Sequence, residues 1–176
     1  LKPKRLFLLR HAKSARDDPF LDDFDRPLNK RGQRAAHAMA EWLAARNLHP
    51  DLVLCSAALR TRETLAAVRP ALGATTEVRV DKNLYLADEQ SILDILAALD
   101  ESAQPPAQVM VIAHNPGLQD LALRLIPPAE AETRKRIATK FPTCAFVDLS
   151  FAVEDWAEIG PARASLNDYL APNDIG

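Results

Sequence analysis

Arg10 and His11 stand side by side where the apolar run 6–9 stops. Two other apolar runs end the same way: 51–55 is followed by Ser56 and then Arg60, and 108–113 is followed by His114. Two guanidinium groups offer fixed, bidentate donors to a tetrahedral oxyanion and stay charged at any working pH. A neutral imidazole at His11, with one ring nitrogen oriented and the other free, can attack phosphorus. His114 can then donate to a phosphoryl oxygen, the more so when a nearby phosphate favours its protonated form. Ser14 supplies a hydroxyl for a phosphate or a turn. Ser56 is read as organising its turn rather than as a nucleophile, and Thr61 and Thr64 as bonding locally within a helix.

These residues are far apart in the chain, so elements must bring them together. Short continuous apolar runs bounded by charge suit central strands buried on both faces, and open α/β sheets bind ligands at the carboxyl ends of such strands. Between the first and second strands lies an Asp-rich loop, 15–27, which Phe20 and Phe24 are expected to pin to the body. A helix is expected to open near Asn29 and run through 35–44, with Gly32 marking a close approach to phosphate or backbone. Further helices are predicted over 60–68, from Asp88, and over 118–125, with a third strand at 77–80. A short polar helix within 130–140 could rim the site or contact a macromolecular substrate. Strands are predicted at 144–151 and, as an edge, at 156–159, while 163–176 shows little apolar periodicity. Alternating strands and helices give a three-layer α/β fold, a central mostly parallel sheet flanked by helices. The 176 residues read as one domain, 1–176, with a compact core over about 5–160.

Composition excludes several classes. A formal charge of −2 argues against general nucleic-acid or anionic-membrane binding, while leaving room for a local basic pocket. No stretch has the length and apolarity of a membrane span, and no signal-peptide pattern opens the chain. Cys55 and Cys144 are too few and too far apart for a disulfide framework or a cysteine zinc site, which fits a cytoplasmic protein. The spacing of Asp17, Asp18, Asp22, Asp23 and Asp25 lacks the order and central glycine of a calcium loop. No metal and no cofactor are expected, since two guanidinium groups disfavour a cation and no P-loop is present.

The segments Leu8-Leu9-Arg10-His11-Ala12-Lys13-Ser14, Leu28-Asn29-Lys30-Arg31-Gly32, Ser56-Ala57-Ala58-Leu59-Arg60-Thr61-Arg62-Glu63-Thr64 and His114-Asn115-Pro116-Gly117 together resemble the histidine phosphatase superfamily. The resemblance is strongest to its short SixA-like phosphohistidine phosphatase branch and covers about residues 5–160. It implies phosphoryl transfer through a transient phosphohistidine on His11, with Arg10, Arg60 and His114 forming the phosphate pocket. Water would then cleave the phosphoenzyme. Such a site works by positioning and electrostatic stabilisation.

Three departures from the family pattern carry information. Ala12 stands where the superfamily commonly has Gly, which would strain a turn that needs positive φ. Asp17 replaces a familiar Asn, whose phosphate-binding role is not carried over. A dedicated acid has no secure match: Asp81, Asp88 and Glu89 are candidates only. An alkoxide leaving group needs such an acid, whereas a protonated phosphohistidine leaves as a near-neutral imidazole. The expected function is therefore phosphohistidine hydrolysis on a protein substrate reaching an open pocket edged by Tyr85, with Lys13 and Arg62 raising its potential. A small-molecule phosphomonoesterase and a noncatalytic phosphate-dependent interaction protein are the alternatives. The chain is expected to act as a monomer, with a weak dimer left open.

Overall fold

The computed structural model describes residues 3–175. Six strands form one sheet: β1 (Lys4–Arg10), β2 (Leu52–Ser56), β3 (Glu77–Asp81), β4 (Gln108–Ala113), β5 (Phe146–Phe151) and β6 (Ala164–Leu170), in the order β3-β2-β4-β1-β5-β6. The first four in that order are mutually parallel; β5 runs antiparallel to β1, and β6 antiparallel to β5. Five helices cover it: α1 (Lys30–Arg46), α2 (Leu59–Val68), α3 (Glu89–Ala97), α4 (Gly117–Leu125) and α5 (Ala131–Thr139).

Successive side chains of a strand point to opposite faces, so the apolar runs need partners on both sides. Leu6, Leu8, Val109 and Val111 pack with Ile92, Leu96, Leu118 and Leu121 from α3 and α4. Phe7, Leu9, Met110 and Ile112 pack with Met39, Leu43, Leu65 and Val68 from α1 and α2. The result is the expected three-layer arrangement. Register then aligns the strand ends: Leu9 pairs with Ile112, and Ile112 with Cys55, so the three strands finish level.

Helix starts follow local chemistry. Asn29 caps α1, its side chain accepting from the Gly32 N–H at 2.8 Å, and Asp88 caps α3 through the Ser91 N–H. Gly32 does mark a close approach, to backbone: a Cβ there would lie 2.1 Å from the Lys13 carbonyl oxygen.

Three expectations need correcting. Trp156–Glu158 is a 3₁₀ turn, not an edge strand. The Asp100 carboxylate accepts the Trp156 and Ala157 N–H groups, and the buried indole donates to Pro106 at 2.8 Å. A Trp and an Ile three residues apart satisfy one helical turn. Within the 163–176 tail, where little apolar periodicity suggested no strand, Ala164–Leu170 is β6. Its alternation is masked by a bulge, since Leu149 pairs with Leu166 and Asp148 with Asp168, leaving Asn167 as the extra residue. Phe20 does not pin the Asp-rich loop: it is 94% exposed, while Phe24 packs edge-on against Tyr85.

Candidate active site

The site forms where β1, β2 and β4 end. His11 follows β1 and is buried, and its Nδ1 lies 2.7 Å from the Ala12 carbonyl oxygen. A carbonyl only accepts, so Nδ1 carries the proton and Nε2 keeps its lone pair. Burial, with the His114, Arg10 and Arg60 charges adding to it, lowers the His11 pKa to about 3, so the ring is neutral near pH 7. The turn is free of the strain that Ala12 threatened, because Ala12 is not among the residues with positive φ. Its N–H donates to Thr64 Oγ1 at 3.0 Å, and that hydroxyl donates to the Arg60 carbonyl. Thr64 thereby ties the His11 turn to α2, a tertiary role beyond the local bond expected of it.

His114 sits 5.4 Å from His11 between ring centroids. Its Nε2 is 2.7 Å from Ser56 Oγ, and its Nδ1 is buried without a partner. Burial first, then the Arg60 charge, lowers its pKa to about 4. In the tautomer whose Nε2 accepts from the Ser56 hydroxyl, Nδ1 carries the proton. Ser56 thus orients the second imidazole. Gly117, opening α4 just beyond, lets this end of β4 approach the 85–88 segment: a Cβ would lie 1.9 Å from the Ala87 carbonyl oxygen.

The two arginines are each held by part of the guanidinium only. Arg10 Nη1 donates to the Phe141 carbonyl at 2.9 Å, and its Nε is buried and unpartnered. Arg60 donates from Nη1 to the Asp23 carbonyl at 2.7 Å and from Nη2 to Asp23 Oδ2 at 3.0 Å, and again Nε is buried and unpartnered. Burial, with Arg60 and Arg16 adding to it, lowers the Arg10 pKa from its ordinary value, and the group remains a cation. Buried donors left without acceptors are costly unless a ligand takes them. Two such guanidinium nitrogens and one imidazole nitrogen belong to side chains that border one cavity of about 390 Å³.

Sequence reasoning missed Asp23 and Arg26. Both line the cavity, and the Asp23 carboxylate accepts from Arg26, Arg60 and the Tyr85 hydroxyl. Although its own partial burial pushes the other way, the Tyr85, Arg26 and Arg60 contacts hold this carboxyl well below the usual range. Ser14 is buried at the cavity wall and accepts a hydrogen bond from Arg26. Of the candidate acids, Asp81 and Asp88 cap backbone N–H groups and Glu89 faces Arg124; none borders the cavity. Lys13 lines it, whereas Arg62 is exposed and donates to the Ala57 carbonyl. Tyr85 packs edge-on to His114 at 5.5 Å. A run of short Asp-to-Arg spacings was the available signal for Asp23, but five aspartates in one loop gave no way to choose among them.

A mostly parallel sheet whose strand ends gather two arginines and two histidines around one cavity is the frame of a phosphatase fold, and residues 6–85 match the histidine phosphatase superfamily (branch 1). The chain belongs to that superfamily and is a phosphatase of its SixA-like group. It is 30% identical to the phosphohistidine phosphatase SixA of Escherichia coli over 70% of this chain and 74% of that one. SixA of Agrobacterium tumefaciens, assigned as a phosphohistidine phosphatase, superposes with a TM-score of 0.78 at 32% identity, covering 97% of this chain and 99% of the other. The protein histidine phosphatase SixA complexed with tungstate superposes with a TM-score of 0.73 at 26% identity, covering 98% and 99%. Among the described residues no helix is long and apolar enough to cross a membrane.

Proposed function

We propose that this single-domain protein hydrolyses phosphohistidine on protein substrates, with His11 as the nucleophile. The observation that carries the reading is the tautomer of His11: the Ala12 carbonyl holds the Nδ1 proton, so Nε2 offers its lone pair beside unpartnered donors. Nε2 attacks phosphorus as the substrate's P–N bond breaks, and the substrate imidazole departs with the proton it already carries. Arg10, Arg60 and the His114 Nδ1–H meet the equatorial oxygens as charge shifts among them, a role worth roughly 10²-fold per preorganised donor. Water then attacks the His11 phosphoramidate, which releases phosphate and restores the neutral ring.

The choice of a P–N over a P–O bond is supported by the carboxylates. The cavity wall includes one acidic residue, Asp23, and its partners keep it ionised, so it is a poor proton donor to an alkoxide. A protonated imidazole needs none. The reaction proceeds in this reading without a metal. The test compares kcat/KM on a phosphohistidine peptide, a phosphoserine peptide and small phosphomonoesters, with rapid quench to trap a phosphoenzyme. Preference for phosphohistidine and an acid-labile label lost in His11→Ala are expected. Faster turnover of phosphomonoesters would assign the small-molecule activity instead, and an unlabelled protein with no turnover would leave phosphate recognition alone.

A further inference from the structure

The cations around the cavity divide into two sets. Arg10, Arg26 and Arg60 are anchored to carbonyl, hydroxyl or carboxylate oxygens and face the space a phosphoryl group fills. Lys13, Arg16 and Lys140 also border the cavity, are exposed, and make no side-chain hydrogen bond or ion pair among the described residues. One phosphoryl group does not need six cations. The three have no acidic partner among the described residues, though Arg16 shares its loop with exposed Asp17, Asp18, Asp22 and Asp25.

Lys140 and Pro142 also belong to a second cleft, of about 430 Å³, that continues along α5 past Lys135 and Tyr169. Of the four large hydrophobic side chains exposed among the described residues, Phe20 and Leu21 are on the loop that carries Asp23, and Leu86 is on the cavity wall. The Phe20 side chain, at 94% exposed, takes no part in the core and is free to meet a partner.

We propose that the mouth of the site is a docking surface for a polypeptide whose acidic residues flank the phosphorylated side chain, the carboxylates meeting Lys13, Arg16 and Lys140 and an apolar residue meeting Phe20 and Leu86. This rests on the phosphatase reading above and names its substrate class more closely. Charge complementarity of this kind acts on encounter and specificity and is screened by salt.

The experiment uses phosphohistidine peptides of equal length with acidic, neutral or basic flanks, beside phosphoramidate as a substrate without flanks. At low salt the acidic peptide is expected to exceed the basic one in kcat/KM by roughly tenfold or more, the gap closing as salt rises. The double variant Arg16→Gln, Lys140→Gln is expected to close most of that gap, with a clearly smaller loss on phosphoramidate than on the acidic peptide, and Phe20→Ser to raise KM for the peptides only. Equal rates on acidic and basic flanks, or an equal loss on phosphoramidate, would overturn the docking surface while leaving the phosphatase reading intact. If no phosphohistidine substrate turns over, the function reading fails and docking is read by fluorescence anisotropy of the unphosphorylated acidic and basic peptides. Tighter acidic-peptide binding that Lys140→Glu abolishes would then support it, and indifference to flank charge would overturn it.

Discussion

Arg60 gives both terminal nitrogens to Asp23, Nη1 to its carbonyl oxygen and Nη2 to its carboxylate, at 2.7 and 3.0 Å. The end-on fork of the guanidinium is thereby occupied, and the buried Nε is left without a partner. A residue of an irregular, polar loop fixes the direction in which a buried cation points.

Asp23→Ala is therefore expected to lower kcat/KM by roughly 10- to 100-fold, the scale on which a misplaced binding group acts. It should also weaken competitive inhibition by tungstate. Asp23→Asn keeps an acceptor and should recover most of both. Tighter tungstate binding in both variants would instead make Asp23 a competitor of phosphate.

Both imidazoles hold their protons less well than free histidine, at about 3 for His11 and about 4 for His114 against 6.5. The unfolded chain therefore takes up protons first as pH falls. Between about pH 6.5 and 3 it binds more protons than the native state, so unfolding free energy rises with pH across that window and levels off above it. Urea titrations of the wild type should show this slope, and His11→Gln should flatten it. In the NMR spectrum of the free enzyme the His11 ring should not titrate above about pH 5; an inflection near 6.5 would remove the neutral nucleophile from the resting state.

Gly32 sits in the first turn of α1, where Ala would ordinarily gain about 1 kcal/mol in helix propensity. The added methyl would meet the Lys13 carbonyl at 2.1 Å, and overpacking of that kind costs about 1–3 kcal/mol. The clash wins. Gly32→Ala should lower the unfolding midpoint and, by pushing the turn after His11, slow phosphoenzyme formation; an unchanged midpoint would show that the turn yields freely.

Ser56→Ala leaves His114 Nε2 buried without its hydroxyl, at a cost of about 1–3 kcal/mol for an unmet polar group. Expected is a loss of about 10-fold or more in kcat/KM with the circular dichroism spectrum intact. Ser56→Thr, which keeps the hydroxyl, should restore part of it. Equal activity of the Ala variant would show that His114 is oriented by packing alone.

What could be read from the sequence was whatever short-range chemistry controls. Apolar runs located β1, β2 and β4, Asn29 and Asp88 placed two helix starts, and the polar groups at the strand ends singled out Arg10, His11, Arg60 and His114 before any contact was known. Parallel register did the rest for these residues, because strands that finish level bring their next residues together. Tertiary structure alone decided which Asp of the 15–27 loop turns inward, which hydroxyl orients His114, and that 164–170 closes the sheet edge. Those outcomes depend on partners remote in the chain: an irregular loop has no period from which to tell its inner face, and a bulged edge strand hides its own. Local propensity therefore placed Arg10, His11, Arg60 and His114 at the ends of their elements, and long-range packing set their partners.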